Sequence, residues 1–197
     1  KMLKSPGMLF AVVISILVEI VAMINMTFWQ VIANKRIGIP DIMLPIFPMI
    51  RSVLSIFFFF FVISRMQQSR LKRPLLLCFL VYALGEALLV MAGPSLAGYA
   101  LLGASLFIEA LAAAALATLR ESLVAIYAEQ SERSRILALM QTVVMLVGIP
   151  FGYIGGFLSD MSRAYPFVLN ISILLVGALA TLIFFKKYGS GGAEVPA

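Results

Sequence analysis

Histidine is absent from this chain of 197 residues, and Cys78 is its one cysteine. A disulfide framework needs paired cysteines, and a Cys/His metal site needs more ligands than one thiol. Charged residues make up only 12% of the sequence, about half the share typical of a soluble domain, whereas 62% of the residues are hydrophobic. Soluble secreted, disordered and nucleic-acid-binding classes are therefore disfavoured, and neither a metal nor an organic cofactor is expected.

Recognisable enzyme signatures are missing as well. The sequence holds no GxSxG, Walker, HExxH or GxGxxG pattern. A membrane hydrolase needs a nucleophile and a base, and without histidine only scattered glutamates are left for an aspartyl-type mechanism. The chain is not expected to be an enzyme.

The apolar residues come in six blocks, each long enough to cross a hydrocarbon core, which takes roughly 20 helical residues. Gly and Pro separate several blocks, as at 38–40, 93–94 and 165–166. The predicted spans are 8–33, 42–63, 74–92, 96–125, 136–158 and 166–185. The sequence thus predicts an all-α integral membrane domain over 5–188. The tail 189–197 has the composition of a flexible linker, natural or introduced for expression.

Lysine and arginine predict the orientation of the spans. Eleven of them would lie toward one side, at the termini, in loops or, for Arg120, near the end of the fourth span, whereas Lys35, Arg36 and Arg163 are the only ones on the other side. Basic loops remain on the cytoplasmic side. Both termini are therefore expected in the cytoplasm of a multi-pass cell-membrane protein, and the net charge of +6 reflects orientation rather than a nucleic-acid partner.

Three charged residues are predicted to lie near the middle of the bilayer. By helical rise, Glu19 is roughly 18 Å from the cytoplasmic end of its span, Arg51 roughly 14 Å from the outer end, and Glu109 roughly 20 Å inside the fourth span. Such a side chain costs several kcal/mol against lipid, so it must face a polar interior, a partner or water. The two glutamates are interpreted as proton or cation sites, with Arg51 as counter-charge or anion ligand. The alternative is structural: a buried Glu–Arg pair, or a neutral glutamate hydrogen-bonded to a neighbouring helix.

Glu86 lies nearer the outer end of the third span, and a structural role is at least as well supported for it. Two helical stripes carry further polar candidates. They comprise Ser15, Glu19, Met23, Met26 and Gln30 in the first span, and Ser105, Glu109, Ala112, Leu116 and Arg120 in the fourth. Ser15, Ser105 and Gln30 are candidate ligands, although a helix–helix seam would show the same pattern. The Ser-x-x-x-Glu match between the spans predicts a three-plus-three inverted repeat.

The fifth span is rich in glycine. Gly148, Gly152 and Gly156 recur every four residues and predict a ridge of small residues for close helix packing, with Gly155 beside it. Pro150 removes a backbone hydrogen bond and predicts a bend. The span is therefore interpreted either as a rocking helix or as a tightly packed structural one.

Over about 5–188 the chain resembles the C-terminal six-helix half, helices seven to twelve, of the major facilitator superfamily. The resemblance is carried by AEQSERSR at 128–135, GGFLSD at 155–160 and the glycine–proline run 148–156. That run also resembles an antiporter motif, which the family normally has in its fifth helix. The basic loop 64–73 lies where the family has a basic motif with Gly and Asp, but it lacks the Asp.

The resemblance implies that spans one and four line a cavity, that spans two and five rock, and that spans three and six are peripheral. The chain would be a secondary active transporter, or half of one, moving a small solute by alternating access with an ion gradient. Because members usually have twelve helices, a partner is expected: a complementary half or a second copy. The alternative is an isolated or dimeric six-helix scaffold without transport; a channel or receptor is less favoured because the polar stripes are short.

Overall fold

The computed structural model describes residues 5–61, 71–127 and 133–188, and the regular structure in these ranges is entirely helical. Six helical segments are long and apolar enough to cross a membrane, the second together with a short 3-10 turn at Asp41–Met43. This confirms the six predicted spans. The helices are α1 Pro6–Ile32, α2 Ile46–Phe61, α3 Lys72–Met91, α4 Leu96–Tyr127, α5 Arg133–Met161 and α6 Tyr165–Tyr188.

The two ends of α1 follow from local chemistry. Ser5 caps the first turn, where its hydroxyl accepts a hydrogen bond from the Met8 amide at 3.2 Å, and Pro6 takes the first helical position. A π-helical turn, Ala33–Ile37, extends the helix, and Gly38 ends it in the left-handed conformation with φ of 84°. The first membrane segment is thus longer than the predicted 8–33.

Helices α1, α3, α4 and α6 form the core of the bundle. Helix α3 packs against α4 and α6, and α1 packs against α4, α5 and α6, whereas α2 lies against α4. In the most apolar stretch of α2 only 6% of the residues are buried, and in that of α5 22%, compared with 56% in α1. Helices α2 and α5 therefore flank the core and expose most of their surface.

Helix α5 packs on α1 through two glycines. A Cβ at Gly155 would lie 2.6 Å from the Phe28 ring, and one at Gly148 would lie 3.6 Å from Met23 Sδ. At Gly152 and Gly156, no atom of the described residues lies within 4 Å of such a position. The close approach therefore runs through Gly148 and Gly155 rather than along the predicted four-residue ridge. The helix continues through Pro150, whose ring is exposed.

Several sequence predictions fall outside the described residues. These are the flexible tail 189–197, most of the basic loop 64–73, and the first five positions of the family-like stretch 128–135.

Candidate functional site

Six polar side chains meet in the interior of the bundle, and five of the six helices contribute to them. We call this group the polar cluster: Asn25 of α1, Arg51 of α2, Tyr82 and Glu86 of α3, Glu109 of α4 and Asn170 of α6. Asn25, Glu86, Glu109 and Asn170 have no exposed surface, and Tyr82 is 3% exposed. A protein tolerates so many buried polar groups only when they bond to one another.

Asn25 is the hub of the polar cluster. Its Nδ2 donates to Glu86 Oε1 at 2.7 Å and to Glu109 Oε2 at 3.3 Å, while its Oδ1 accepts from Arg51 Nη1 at 3.1 Å. One amide thus presents its donor to two carboxyl groups and its acceptor to the guanidinium. The orientation of the amide is fixed by these neighbours, since the reverse would set oxygen against oxygen.

Arg51 connects the flanking helix α2 to the core. Besides Asn25, its Nη2 donates to the Tyr82 hydroxyl at 3.2 Å and lies 3.9 Å from Glu109 Oε2. Its side chain is 24% exposed, whereas that of Glu109 is completely buried. The guanidinium therefore lies between the buried carboxyl groups and the space outside the core.

Glu86 and Asn170 form the deep side of the polar cluster. Asn170 Nδ2 donates to Glu86 Oε1 at 3.1 Å and to the Val21 carbonyl at 3.3 Å. Three buried oxygens have no donor among the described residues: Glu86 Oε2, Glu109 Oε1 and Asn170 Oδ1. Each is an acceptor that a proton bound to a carboxyl group, or a ligand donor, would satisfy.

A cavity of about 300 Å³ lies beside the polar cluster, between α1 and α2. Asn25, Arg51 and Tyr82 form its polar wall, and Gln30 and Ser52 stand at exposed positions around it. The remaining lining is apolar and partly aromatic: Ala22, Met26, Trp29, Phe47, Pro48, Leu106 and Ala113. Its size is at the lower end of the range for small-molecule sites.

The structure brings together two of the three midplane residues that the sequence singled out. Arg51 and Glu109 meet in the polar cluster, whereas Glu19 forms an ion pair with Arg120 of α4, with 3.0 Å between Oε2 and Nη1. Glu19 precedes Asn25 by six residues, which is roughly 9 Å along the helix axis. Glu86, which the sequence treated as the weaker candidate, belongs to the polar cluster.

The uncharged polar candidates, Ser15, Ser105 and Gln30, lie outside the polar cluster. Ser15 and Ser105 are buried, and their hydroxyls donate to backbone carbonyls of their own helices, Ala11 at 2.8 Å and Leu102 at 2.9 Å. Such bonds satisfy a hydroxyl within a helix without a ligand. Gln30 lines the cavity.

Sequence analysis missed Asn25, Tyr82 and Asn170 as site residues. The available signal was a lone amide in the middle of an apolar span, because an intramembrane amide also needs a partner. Asn25 is not predicted by the polar stripe that contains Glu19, because it lies about 120° around the helix from that stripe. Its partners come from α2, α3 and α4, which no single-helix pattern can reveal.

Six apolar helices around a buried charged cluster indicate a multi-pass membrane protein. Comparisons with models of protein families, with curated proteins and with solved structures gave no match. Within the described part of the chain, no three His, Cys, Asp or Glu side chains group as metal ligands.

Proposed function

We propose that the protein is a proton-coupled secondary transporter, or one half of one, with its solute-binding site in the cavity beside the polar cluster. The observation that carries the proposal is the pair of buried carboxyl groups, Glu86 and Glu109, both bonded to Asn25 next to a half-buried arginine. Intramembrane ionisable groups are costly, and those that persist in membrane proteins mark ion pathways and proton relays.

Charge balance supports proton binding at the polar cluster. With both carboxyl groups ionised, two negative charges face the single positive charge of Arg51. An uncompensated charge in a buried site is costly, and one proton on either carboxyl group removes it. That proton would also supply a donor for one of the three buried oxygens that lack one among the described residues. The cluster is thus chemically suited to hold and release one proton.

The helix packing supports an internal repeat of the major-facilitator kind. Exchanging α1, α2 and α3 for α4, α5 and α6 turns the α1–α5 contact into the α4–α2 contact, and the α1–α6 contact into the α4–α3 contact. The α1–α4 and α3–α6 contacts map onto themselves, whereas the α5–α6 contact has no counterpart of similar extent between α2 and α3 among the described residues. In such transporters the solute binds at the interface of repeats, near the bilayer midplane.

The exposed surfaces of α2 and α5 support the expected partner, a complementary six-helix half or a second copy of the chain. These helices bury the smallest share of their apolar stretches. In the resembling family they face the other half and rock against it. Alternating access would then expose the cavity to either side of the membrane in turn.

Proteoliposomes loaded with a pH-sensitive dye test this proposal. A panel of small organic anions, cations and neutral solutes is added outside, and the internal pH is recorded against protein-free liposomes. We expect at least one class of solute to change the internal pH because protons cross the membrane with it. Glu109→Gln should abolish this proton flux. Glu121 supplies a matched control, because it is exposed on the same helix twelve residues further on; Glu121→Gln should keep the flux.

Folded protein that moves protons with no member of the panel would contradict the transporter proposal and favour the non-transporting scaffold. Equal loss of flux in both glutamine variants would contradict the specific role of Glu109.

A further inference from the structure

The cavity beside the polar cluster combines a cationic end with an apolar body. Arg51 reaches it with a side chain that is 24% exposed, and Arg51 is the only charged residue in its lining among the described residues. Both carboxyl groups of the polar cluster are completely buried behind it. A ligand in the cavity thus meets a guanidinium first, so the charge of the lining favours an anion.

The cavity lining also has more N–H donors than the described residues have acceptors for them. Arg51 uses Nη1 and Nη2 in its described contacts, although a guanidinium carries five N–H groups in total. Trp29, which lines the same cavity, has a buried indole N–H with no acceptor among the described residues. Unused donors and a cation that line the same cavity suit a carboxylate, since it offers up to four acceptor positions.

The rest of the lining selects the body of the ligand. The Trp29 and Phe47 rings lie with their centroids 5.1 Å apart, and Leu106, Ala113 and Met26 add apolar surface. A volume of about 300 Å³ admits a small molecule and excludes a long acyl chain from the cavity itself. The matching ligand has one carboxylate and a compact apolar or aromatic body.

We propose that the cavity binds a small amphipathic monocarboxylate, with Arg51 as its counter-ion, and that binding takes up one proton at Glu109. This inference rests on the proposed function and names the solute class of the same site. Glu109 Oε2, 3.9 Å from Arg51 Nη2, competes with the ligand for the guanidinium. Uptake of a proton from the aqueous phase neutralises the Glu109 carboxylate. This ends its competition for Arg51 and balances the incoming negative charge.

The groups around Glu109 are consistent with this exchange. Asn25 faces it from α1, Arg51 from α2, and Tyr82 and Glu86 of α3 share the same hydrogen-bonded cluster. With the ligand bound and Glu109 neutral, one carboxylate remains on each side of Arg51: the ligand outside and Glu86 inside. At a pH at which the empty cluster has released the proton that it can hold, the total charge of cluster plus ligand equals that of the empty, fully ionised cluster, because one proton enters with one anion.

Trp29 supplies a direct readout, since it is the one tryptophan of the chain and lies in the cavity wall. Three probes share a phenylethyl body and differ in the head group at the third carbon: 3-phenylpropionate, 3-phenylpropanamide and 3-phenylpropylamine. We expect 3-phenylpropionate to change Trp29 emission saturably in the purified full chain. The amide and the amine should bind at least ~10-fold more weakly.

Two variants locate the site and separate binding from folding. Arg51→Gln should weaken 3-phenylpropionate binding at least ~10-fold, because the counter-ion is lost. Ser52→Phe should do the same with the polar cluster intact, since Ser52 is exposed at the cavity and a phenyl group would fill its opening. Asp160→Asn, at an exposed position near the end of α5, should bind like the natural chain.

Proton uptake is measured with a pH dye in weakly buffered solution. At a pH at which Glu109 of the empty cluster is ionised, we expect about one proton to be taken up per bound 3-phenylpropionate. The affinity should fall there by up to ~10-fold per pH unit as pH rises, because linkage makes proton uptake and affinity reciprocal. The probe itself stays ionised above about pH 6. Glu109→Gln should bind the probe without proton uptake and with little pH dependence.

The outcomes distinguish this inference from the proposed function. Preferential binding of 3-phenylpropylamine, no binding of 3-phenylpropionate, or unchanged proton uptake in Glu109→Gln would overturn the inference, even if the vesicles transport a cation. Stronger binding of palmitate than of 3-phenylpropionate would overturn the choice of a water-soluble ligand in favour of the lipid phase. Arg51-dependent binding without flux in vesicles would support the site and count against the transporter.

Discussion

The charged residues of the polar cluster depend on one another for charge compensation. Among the described residues, Arg51 is the only cation of the polar cluster: it lies 3.9 Å from Glu109 and is linked to Glu86 through Asn25. Removal of one partner from a buried ion pair leaves the other uncompensated, which typically costs about 3–5 kcal/mol. The stability of the fold and the chemistry of the site therefore depend on the same few side chains.

A double-mutant cycle on Arg51 and Glu109 tests this dependence. We expect Arg51→Gln to destabilise the protein by about 3 kcal/mol, because two acids then face no positive charge. Adding Glu109→Gln should recover about 1–3 kcal/mol of the lost stability, since the repulsion between the two carboxyl groups is then removed. The unfolding free energy can be followed by a thiol-reactive dye, because Cys78 is the one cysteine and is buried.

The control for this cycle is Thr27→Val on α1, an exposed position whose hydroxyl donates only to the Met23 carbonyl of its own helix. It should change the stability by less than about 0.5 kcal/mol. Purely additive effects of Arg51→Gln and Glu109→Gln would show that the two side chains are not coupled.

At the scale of helices, the α1–α5 contact depends on glycine at particular positions. Gly155 leaves room for the Phe28 ring, whereas at Gly156, the next residue, no atom in the described part of the chain lies within 4 Å of where a Cβ would be. Any motion of α5 against α1 would take place across this contact. The pair of neighbouring glycines therefore offers an internal comparison.

Gly155→Ala should destabilise the protein by about 1–3 kcal/mol, because its methyl group would lie 2.6 Å from the Phe28 ring, and either the ring or the helix would have to shift. Gly156→Ala should be neutral or up to about 1 kcal/mol stabilising, since alanine favours the helix and meets no neighbour. Thermal unfolding of both variants in detergent provides the measurement. Equal destabilisation by the two substitutions would refute the assigned packing.

For the whole molecule, the orientation in the membrane is predicted from the distribution of lysine and arginine rather than from the helix packing. Position 162 lies just before α6 and Tyr188 ends it, so the two are roughly 35 Å apart along the helix axis. The basic residues predict that Tyr188 is cytoplasmic, next to Lys186 and Lys187.

Cysteine labelling in intact cells checks this orientation. In a Cys78→Ala background, a membrane-impermeant maleimide should label Ser162→Cys and leave Tyr188→Cys unlabelled. Permeabilised cells, in which both should react, provide the control. The opposite pattern would invert the predicted topology.

Much of the fold was accessible from the sequence because hydrophobic blocks and their breaks are local signals. The third and sixth spans, predicted at 74–92 and 166–185, begin and end within three residues of the helices Lys72–Met91 and Tyr165–Tyr188. The glycine ridge is different. Periodicity identified the glycines of α5 but could not tell which of them meet α1, because this depends on the rotation of the helix.

By itself, the sequence determined that the chain forms six membrane-length helices and that several charged groups must be hidden from lipid, since both follow from hydropathy along one segment at a time. Only the tertiary structure decided which charges share a site. It joined Arg51 and Glu109 with Glu86 through Asn25, and it gave Glu19 a separate partner in Arg120. These contacts join residues up to 101 positions apart, so they arise from helix packing rather than from any local pattern.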